Sequence, residues 1–216
     1  MYIPAHFAAV PETVQHLLTR PGAVNLVTMT PEGLVATLLP FVYDPDAGEF
    51  GALQGHLARN NTQWSAPAVG EALAIIQGAD AYISPSWYAS KAEHGRVVPT
   101  WNYTTAHVYG RLVIHDDPAW LDRQVRRLTG VHESGFAHPW DVDDAPERFI
   151  AGQLRAIVGV ELVITRIEAK AKLSQNRPEA DVDGVVAGLI ARGQSGAAAD
   201  VEHSRSIRAA VDLRRP

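Results

Sequence analysis

The strongest constraint on this chain is an alternation that runs from Thr100 to His115. Thr104, Ala106, Val108, Gly110, Leu112 and Ile114 are small or apolar, while Trp101, Tyr103, Thr105, His107, Tyr109 and Arg111 between them are polar or aromatic. Successive side chains of a strand point to opposite faces, so this period of two predicts one long strand with a core face and a polar–aromatic face. Solvent alone does not favour so many rings on one face, which points to a ligand or a partner subunit there. The strand belongs to a wider segment, Tyr82 to Tyr109, that holds four of the six tyrosines and two of the five tryptophans, interleaved with Ser84, Ser86, Lys91, Arg96, Thr100, Asn102 and His107. Such a mixture suits a surface that clamps a flat, phosphorylated aromatic ligand.

Turn signals organise the rest as a strand-rich body with helical punctuation. Pro11 to Arg20 reads as a short helix stopped by Pro21-Gly22. Ala23 to Met29 and Leu34 to Tyr43 read as strands on either side of Thr30-Pro31-Glu32-Gly33, and Glu49 to Leu57 and Ala72 to Gln77 as two more. Turns this short make the strands they join antiparallel. Asp117-Pro118 is a cap followed by a proline, and Leu121, Val125 and Leu128 then recur at helical spacing. Asp144 opens a further helix with Ile150, Leu154 and Ile157 on one side, and Val160 to Lys172 returns to strand. Asp181 to Gly193 places Val182, Val185, Val186, Leu189 and Ile190 on one stripe, with Gly193 as a C-terminal stop. Ala197 to Arg215 is weakly amphipathic and ends in Arg208, Arg214 and Arg215.

Composition narrows the function classes. The chain of 216 residues has no cysteine, which excludes disulfides and thiol chemistry and fits a cytoplasmic protein. No apolar run approaches the roughly 18 residues of a membrane span, and MYIPAHFAAV has no basic region ahead of an apolar stretch. The formal net charge of −5 argues against direct DNA binding, whose affinity comes from Lys and Arg neutralising phosphates, although a local basic patch stays open.

Five motifs could carry chemistry. Gly55-His56-Leu57-Ala58-Arg59-Asn60-Asn61 leaves a strand for a short helix or turn, where His56 and Arg59 either meet a phosphate or are a satisfied histidine and an exposed arginine. In Ser84-Pro85-Ser86-Trp87-Tyr88 with Lys91, hydroxyls and an ammonium can hold phosphate and Trp87 can stack; equally, the rings can fold down as a lid on the core. Val98-Pro99-Thr100-Trp101-Asn102-Tyr103 bends into the polar–aromatic strand face. Lys170 to Pro178 closes the last strand with donors, although surface lysines and arginines are commonplace. The histidines show no HExxH pair, and His132 and His138 lack partners at zinc spacing. No GxSxG, Walker or GxGxxG motif supports a hydrolase, nucleotide-hydrolase or Rossmann reading.

In order along the chain, MYIPAHF, GHLARNNTQW, IQGADAYISPSWY, GRVVPTWNYTTAHVYGRL, RAIVGVELVI and KLSQNRPEAD closely resemble the PaiB-like family of FMN-binding negative transcriptional regulators, from Met1 to about Leu189. The resemblance implies a mainly β fold with flanking helices: a six-stranded antiparallel Greek-key FMN-binding split β-barrel, related to pyridoxamine-phosphate-oxidase-like flavoproteins. This domain would span 1–178, with helices inserted at about 117–155, and 179–216 would be a helical extension packed on it. The resemblance also implies a homodimer with flavin in clefts at the subunit interface. His56, Arg59, Ser84 and Lys91 are the candidates for its phosphate. Trp87, Thr100, Trp101, Asn102 and Tyr103 are candidates for the isoalloxazine ring, with Lys172, Ser174, Gln175 and Asn176 completing the cleft from the same or the other subunit. Relatives commonly carry a histidine where Leu38 stands and a large aromatic where Ala171 stands, and the usual Ala and Pro of the first motif are Asn60 and Thr62. Three functions follow: a redox- or metabolite-responsive FMN-binding regulator; an FMN-dependent oxidoreductase on a small cytosolic substrate, for which His107 and Tyr103 are the proton donors to test; or a flavin-free barrel that only dimerises or binds another ligand.

Overall fold

A computed structural model describes residues 1–20, 22–66 and 68–212, with side chains through Ile207. Pro21, Arg214 and Arg215 lie outside the described residues, as does the Arg208 side chain. The chain forms two compact units. The first comprises Met1–Val14, Gln77–Thr105 and the residues from Ala169 onward; the second comprises Gln15–Ile76 and Ala106–Glu168. A boundary at 178–179 falls within the first unit.

Pro40 divides what the sequence pattern reads as one strand. It has no N–H to give to a ladder, and the chain here folds as β2 (Gly33–Pro40) and β3 (Val42–Asp44), with Phe41 alone between them. β2 pairs antiparallel with β1 (Ala23–Thr30), from Thr30↔Gly33 to Ala23↔Pro40. β3 pairs antiparallel with β4 (Ala52–Ala58). β4 pairs antiparallel with β7 (Ile157–Lys172), from Ala52↔Val163 to Ala58↔Ile157. With β5 (Ala72–Ile83) and β6 (Thr100–His115), the order across the sheet is β2-β1-β5-β6-β7-β4-β3. The two ends of that order, β2 and β3, are joined by one residue, so within the second unit the sheet must curl until they meet. Gly55 of β4 marks the approach: a Cβ there would lie 2.8 Å from the Pro40 carbonyl oxygen and 3.0 Å from Phe41 Cδ1. The expected six strands are therefore seven, and the additional one arises at Pro40.

Leu26, Leu53, Leu57, Val108, Val158, Val160 and Leu162 fill the core of the second unit. After α1 (Pro11–Thr19) and the short α2 (Ser90–His94), helix α3 (Pro118–Glu133) starts where Asp117-Pro118 predicts, with the Asp117 carboxylate accepting from Ala119 N and Trp120 N. Asp144 does not open the next helix. It reaches back to the Asp141 N–H and closes a short 3-10 turn, Val142–Asp144, and the helix proper (α4, Glu147–Arg155) begins after Pro146.

In the first unit, Ala81 and Ile83 of β5 and Ala171 and Leu173, at the end of β7, pack with Val182, Val185 and Leu189 of α5 (Glu179–Ala191) and Ala197, Ala198 and Val201 of α6 (Ser195–Asp212). The α5 stripe is narrower than its sequence predicts, because Ile190 is exposed. Gly193 ends it with φ +72°, the left-handed conformation that glycine adopts without steric cost. Trp87 is seated in a glycine notch of α5: a Cβ on Gly188 would lie 2.3 Å from its ring, and one on Gly184 1.8 Å from its carbonyl oxygen. No helix among the described residues is long and apolar enough to cross a membrane.

Candidate functional site

The alternation of β6 holds from Trp101 to Arg111. Asn102, Thr104, Ala106, Val108 and Gly110 are buried and the residues between them are partly or fully exposed. It lapses beyond Arg111, where Ile114 is exposed and His115 turns to stack on Trp120, 4.1 Å between ring centroids, and to meet Glu161 at 3.0 Å. In the first unit the ends of β5 and β7 share the pattern. Ala81, Ile83, Ala171 and Leu173 face the core, and Tyr82, Trp101, Tyr103, Lys170 and Lys172 occupy the alternate, outward positions.

That outward face is aromatic and cationic. The rings of Tyr82 and Trp101 lie 6.1 Å apart, edge to face, and both are substantially exposed. Lys170 Nζ sits 5.4 Å from the Tyr103 ring centroid, and Lys172 donates to the Thr100 hydroxyl. In the Ser84 motif, Ser84 Oγ accepts from Ser86 N at 3.2 Å, and the Lys91 ammonium donates to Ser86 Oγ at 3.2 Å. Asn176 is exposed just past β7. Lys170 and Tyr82 stand on this face in addition to the residues named as flavin candidates. The signal was present, since each stands two residues from, or within, a motif whose alternate positions face outward.

Other residues in the sequence-derived set are committed elsewhere. Asn102 and Ser174 are buried against each other, with the Ser174 hydroxyl 3.0 Å from Asn102 Nδ2 and 3.1 Å from its Oδ1. Gln175 folds onto the backbone, accepting from Leu173 N at 2.7 Å and donating to the Ala171 carbonyl at 2.6 Å. Trp87 packs on α5 as described. Ala171 packs in the core of the first unit and is not part of its outward face.

His56 and Arg59 belong to the second unit, where both side chains have partners. His56 Nδ1 lies 2.9 Å from Gln124 Oε1 of α3. Arg59 donates to the carbonyls of Arg155 and Ile157 at 2.8 and 2.9 Å and to both oxygens of Asp116. The hydrogen bond to Asp116 raises the guanidinium pKa above its ordinary value, and the same bond lowers that of Asp116. The rest of this motif is a fastening after β4. Asn61 caps the 3-10 turn Thr62–Trp64 and donates to Thr37 Oγ1 at 2.9 Å. The buried Gln63 amide donates to the Leu26 carbonyl and Thr28 Oγ1, both at 3.1 Å. Leu38 is exposed on β2.

Exposed rings beside two ammonium groups and a hydroxyl form a donor set for a planar aromatic ligand that carries a phosphate. Residues 1–166 match the family described as "Putative FMN-binding domain", and the chain belongs to that family. It is 30% identical over 188 residues to the Bacillus subtilis protein named protease synthase and sporulation protein PAI 2, covering 86% of this chain and 87% of that one. An uncharacterised protein of Emericella nidulans is 29% identical over 226 residues, covering 88% and 90%. Among solved structures, the conserved hypothetical protein Rv2991 of Mycobacterium tuberculosis superposes with a TM-score of 0.57 at 12% identity, covering 83% of this chain and 95% of that one. The flavocytochrome Anf3 of Azotobacter vinelandii superposes at 0.51 and 14% identity, covering 75% and 67%. The fold is a mainly antiparallel, split-barrel-like sheet with flanking helices. FMN is the family's cofactor, and the outward face of the first unit fits it: Lys170, Lys172 and Thr100 suit the phosphate, and Tyr82, Trp101 and Tyr103 the ring system.

Proposed function

We propose that the protein is a cytoplasmic, homodimeric FMN-binding regulator of the PaiB type that responds to redox state or to a metabolite. The observation that carries the reading is the outward face of Tyr82, Trp101, Tyr103, Lys170 and Lys172, opposite a continuous apolar core. The two ammonium groups would neutralise the FMN phosphate and the Thr100 hydroxyl would orient it, while Trp101 and Tyr82 would offer stacking surface to the ring. The bound isoalloxazine supplies the electron transfer, and the protein supplies its position and electrostatics.

A second copy of the chain would complete the cleft. Association of two copies, taken by itself, is supported by the second unit, where Met29 of β1 and Leu34 and Leu38 of β2 are exposed and the register sets Met29 opposite Leu34. Large apolar side chains placed together in this way favour association. The regulatory role rests on the likeness to PAI 2, whose name ties that protein to protease synthesis and sporulation. With a net charge of −5, regulation through flavin-dependent contacts with another protein is favoured over direct DNA binding.

Titration of the purified protein with FMN tests the proposal, followed by sedimentation of the loaded protein. A dissociation constant tighter than about 100 μM, roughly 5.5 kcal/mol of binding, and a dimer are expected. Weaker binding removes the flavin role, and a monomer at saturating FMN removes the shared cleft.

A further inference from the structure

The geometry points to a second ligand site, in the second unit, that takes a small organic carboxylate between Arg123, Gln124 and Trp120. A cavity of about 340 Å³ lies between α3 and the β3–β4 edge of the sheet, lined by Asp44, Gln54, Trp120, Arg123, Gln124 and Arg127. That volume is at the lower end for small-molecule pockets. The site owes nothing to the flavin reading, since none of these residues is in the first unit.

The wall is built from side chains held by one another. Glu161 accepts from Gln54 Nε2 at 2.8 Å and meets His115 Nε2 at 3.0 Å. Gln54 Nε2 also lies 3.2 Å from Asp44 Oδ2. Arg127 pairs with Asp44 at 3.1 Å and donates to the Tyr43 carbonyl at 2.8 Å. Trp120 is fixed by its parallel stack on His115 and by its fit against Gly159, where a Cβ would come within 2.3 Å of the indole. Its ring therefore forms a rigid, flat piece of wall.

The hydrogen-bonding capacity left over has one sign. Both carboxylates, Asp44 and Glu161, are matched by the partners just named. Arg123 has no ion-pair or hydrogen-bond partner among the described residues, although it lines the cavity. The buried Gln124 takes part through its oxygen, which faces His56 Nδ1 at 2.9 Å; when that nitrogen carries the proton, the Gln124 amide nitrogen is left without a partner among the described residues. The exposed, unneutralised guanidinium of Arg123 offers a carboxylate its charge partner at the cavity, beside the buried Gln124 amide. A buried polar group such as the Gln124 amide nitrogen is ordinarily satisfied, and a guanidinium matches a carboxylate in a two-pronged geometry. The Trp120 wall and the cavity volume favour an organic acid over a bare inorganic ion.

The test uses benzoate as the probe carboxylate, benzyl alcohol as its uncharged counterpart and inorganic phosphate as the bare anion. Binding is read by calorimetry and by the shift of the Trp120 indole N–H in NMR spectra, on full-length wild-type protein and on Arg123→Gln. Arg123 is an exposed helix residue, so the variant should fold, and its circular dichroism melt checks this. Saturable benzoate binding, with the Trp120 signal moving and at least a tenfold weakening in Arg123→Gln, is expected, together with no binding of benzyl alcohol. Absence of saturation at millimolar benzoate, or equal affinity in wild type and Arg123→Gln, overturns the site. Phosphate binding as tightly as benzoate overturns the assignment of an organic carboxylate. Failure of the FMN titration would leave all these outcomes readable, so the two proposals fall separately.

Discussion

Asn102 and Ser174 lock each other inside the core of the first unit. The Ser174 hydroxyl accepts from Asn102 Nδ2 at 3.0 Å and lies 3.1 Å from Asn102 Oδ1, and both residues are almost fully buried. Ser174 is also the one non-glycine residue with positive φ, +66°, among the described residues. The buried pair holds the chain in the left-handed turn that takes it from β7 towards α5.

Ser174→Ala and Ser174→Gly separate the two contributions. Both remove the hydroxyl and orphan the buried Asn102 amide, a loss of about 1–3 kcal/mol. Alanine keeps the left-handed strain of roughly 1–2 kcal/mol, which glycine does not suffer. Urea unfolding should rank wild type above Ser174→Gly and Ser174→Gly above Ser174→Ala, with about 1 kcal/mol between the two variants. Equal stabilities for the two would mean that the positive φ carries no strain.

Gly55→Ala tests the curl of the sheet. The added methyl meets a backbone oxygen, Pro40 O at 2.8 Å, which cannot swing away as a side-chain end could. Overpacking of this kind typically costs about 1–3 kcal/mol. A lowered urea midpoint with an unchanged slope is expected, and wild-type stability in this variant would show that β4 and the Pro40–Phe41 link are not in close approach.

How far the sequence could be read depended on range. The period of two between Trp101 and Arg111 is set by local geometry, and it came through intact. Asn102 obeys the same period: it lies between Trp101 and Tyr103 in one motif and points the opposite way from both. The pairing of Arg59 was not legible, because its partners, Asp116 and the carbonyls of Arg155 and Ile157, are far along the chain. The same is true of His56 and Gln124. Pro40 was visible and its consequence could have been drawn, since a proline inside an apolar strand pattern signals a break.

His107 carries the pH prediction. Burial lowers its pKa below the ordinary 6.5, against a smaller opposing pull from Glu168. Protonation therefore favours the unfolded chain, where the imidazole is in water. This contribution to stability is fully present above about pH 6.5 and is lost as the pH falls from there towards the folded-state pKa. His107→Asn should flatten the stability profile below about pH 6.5. An NMR titration midpoint for His107 at or above 6.5 in the folded protein would contradict the sign.

Lys170 and Lys172 decide whether the outward face recognises FMN by its phosphate. Riboflavin has the same ring system and no phosphate, so the ratio of the two affinities isolates that part of the molecule. Charge-assisted hydrogen bonds contribute about 1.5–3 kcal/mol each, which corresponds to roughly tenfold or more in affinity. Wild type should bind FMN at least tenfold more tightly than riboflavin, and Lys170→Ala and Lys172→Ala should each weaken FMN by about tenfold while leaving riboflavin nearly unchanged. Trp101→Ala should weaken both ligands in parallel, because stacking on the exposed indole concerns the ring alone. Lysine variants that bind FMN as wild type does would move the phosphate away from these two residues, and Trp101→Ala would then decide whether the ring sits on this face at all.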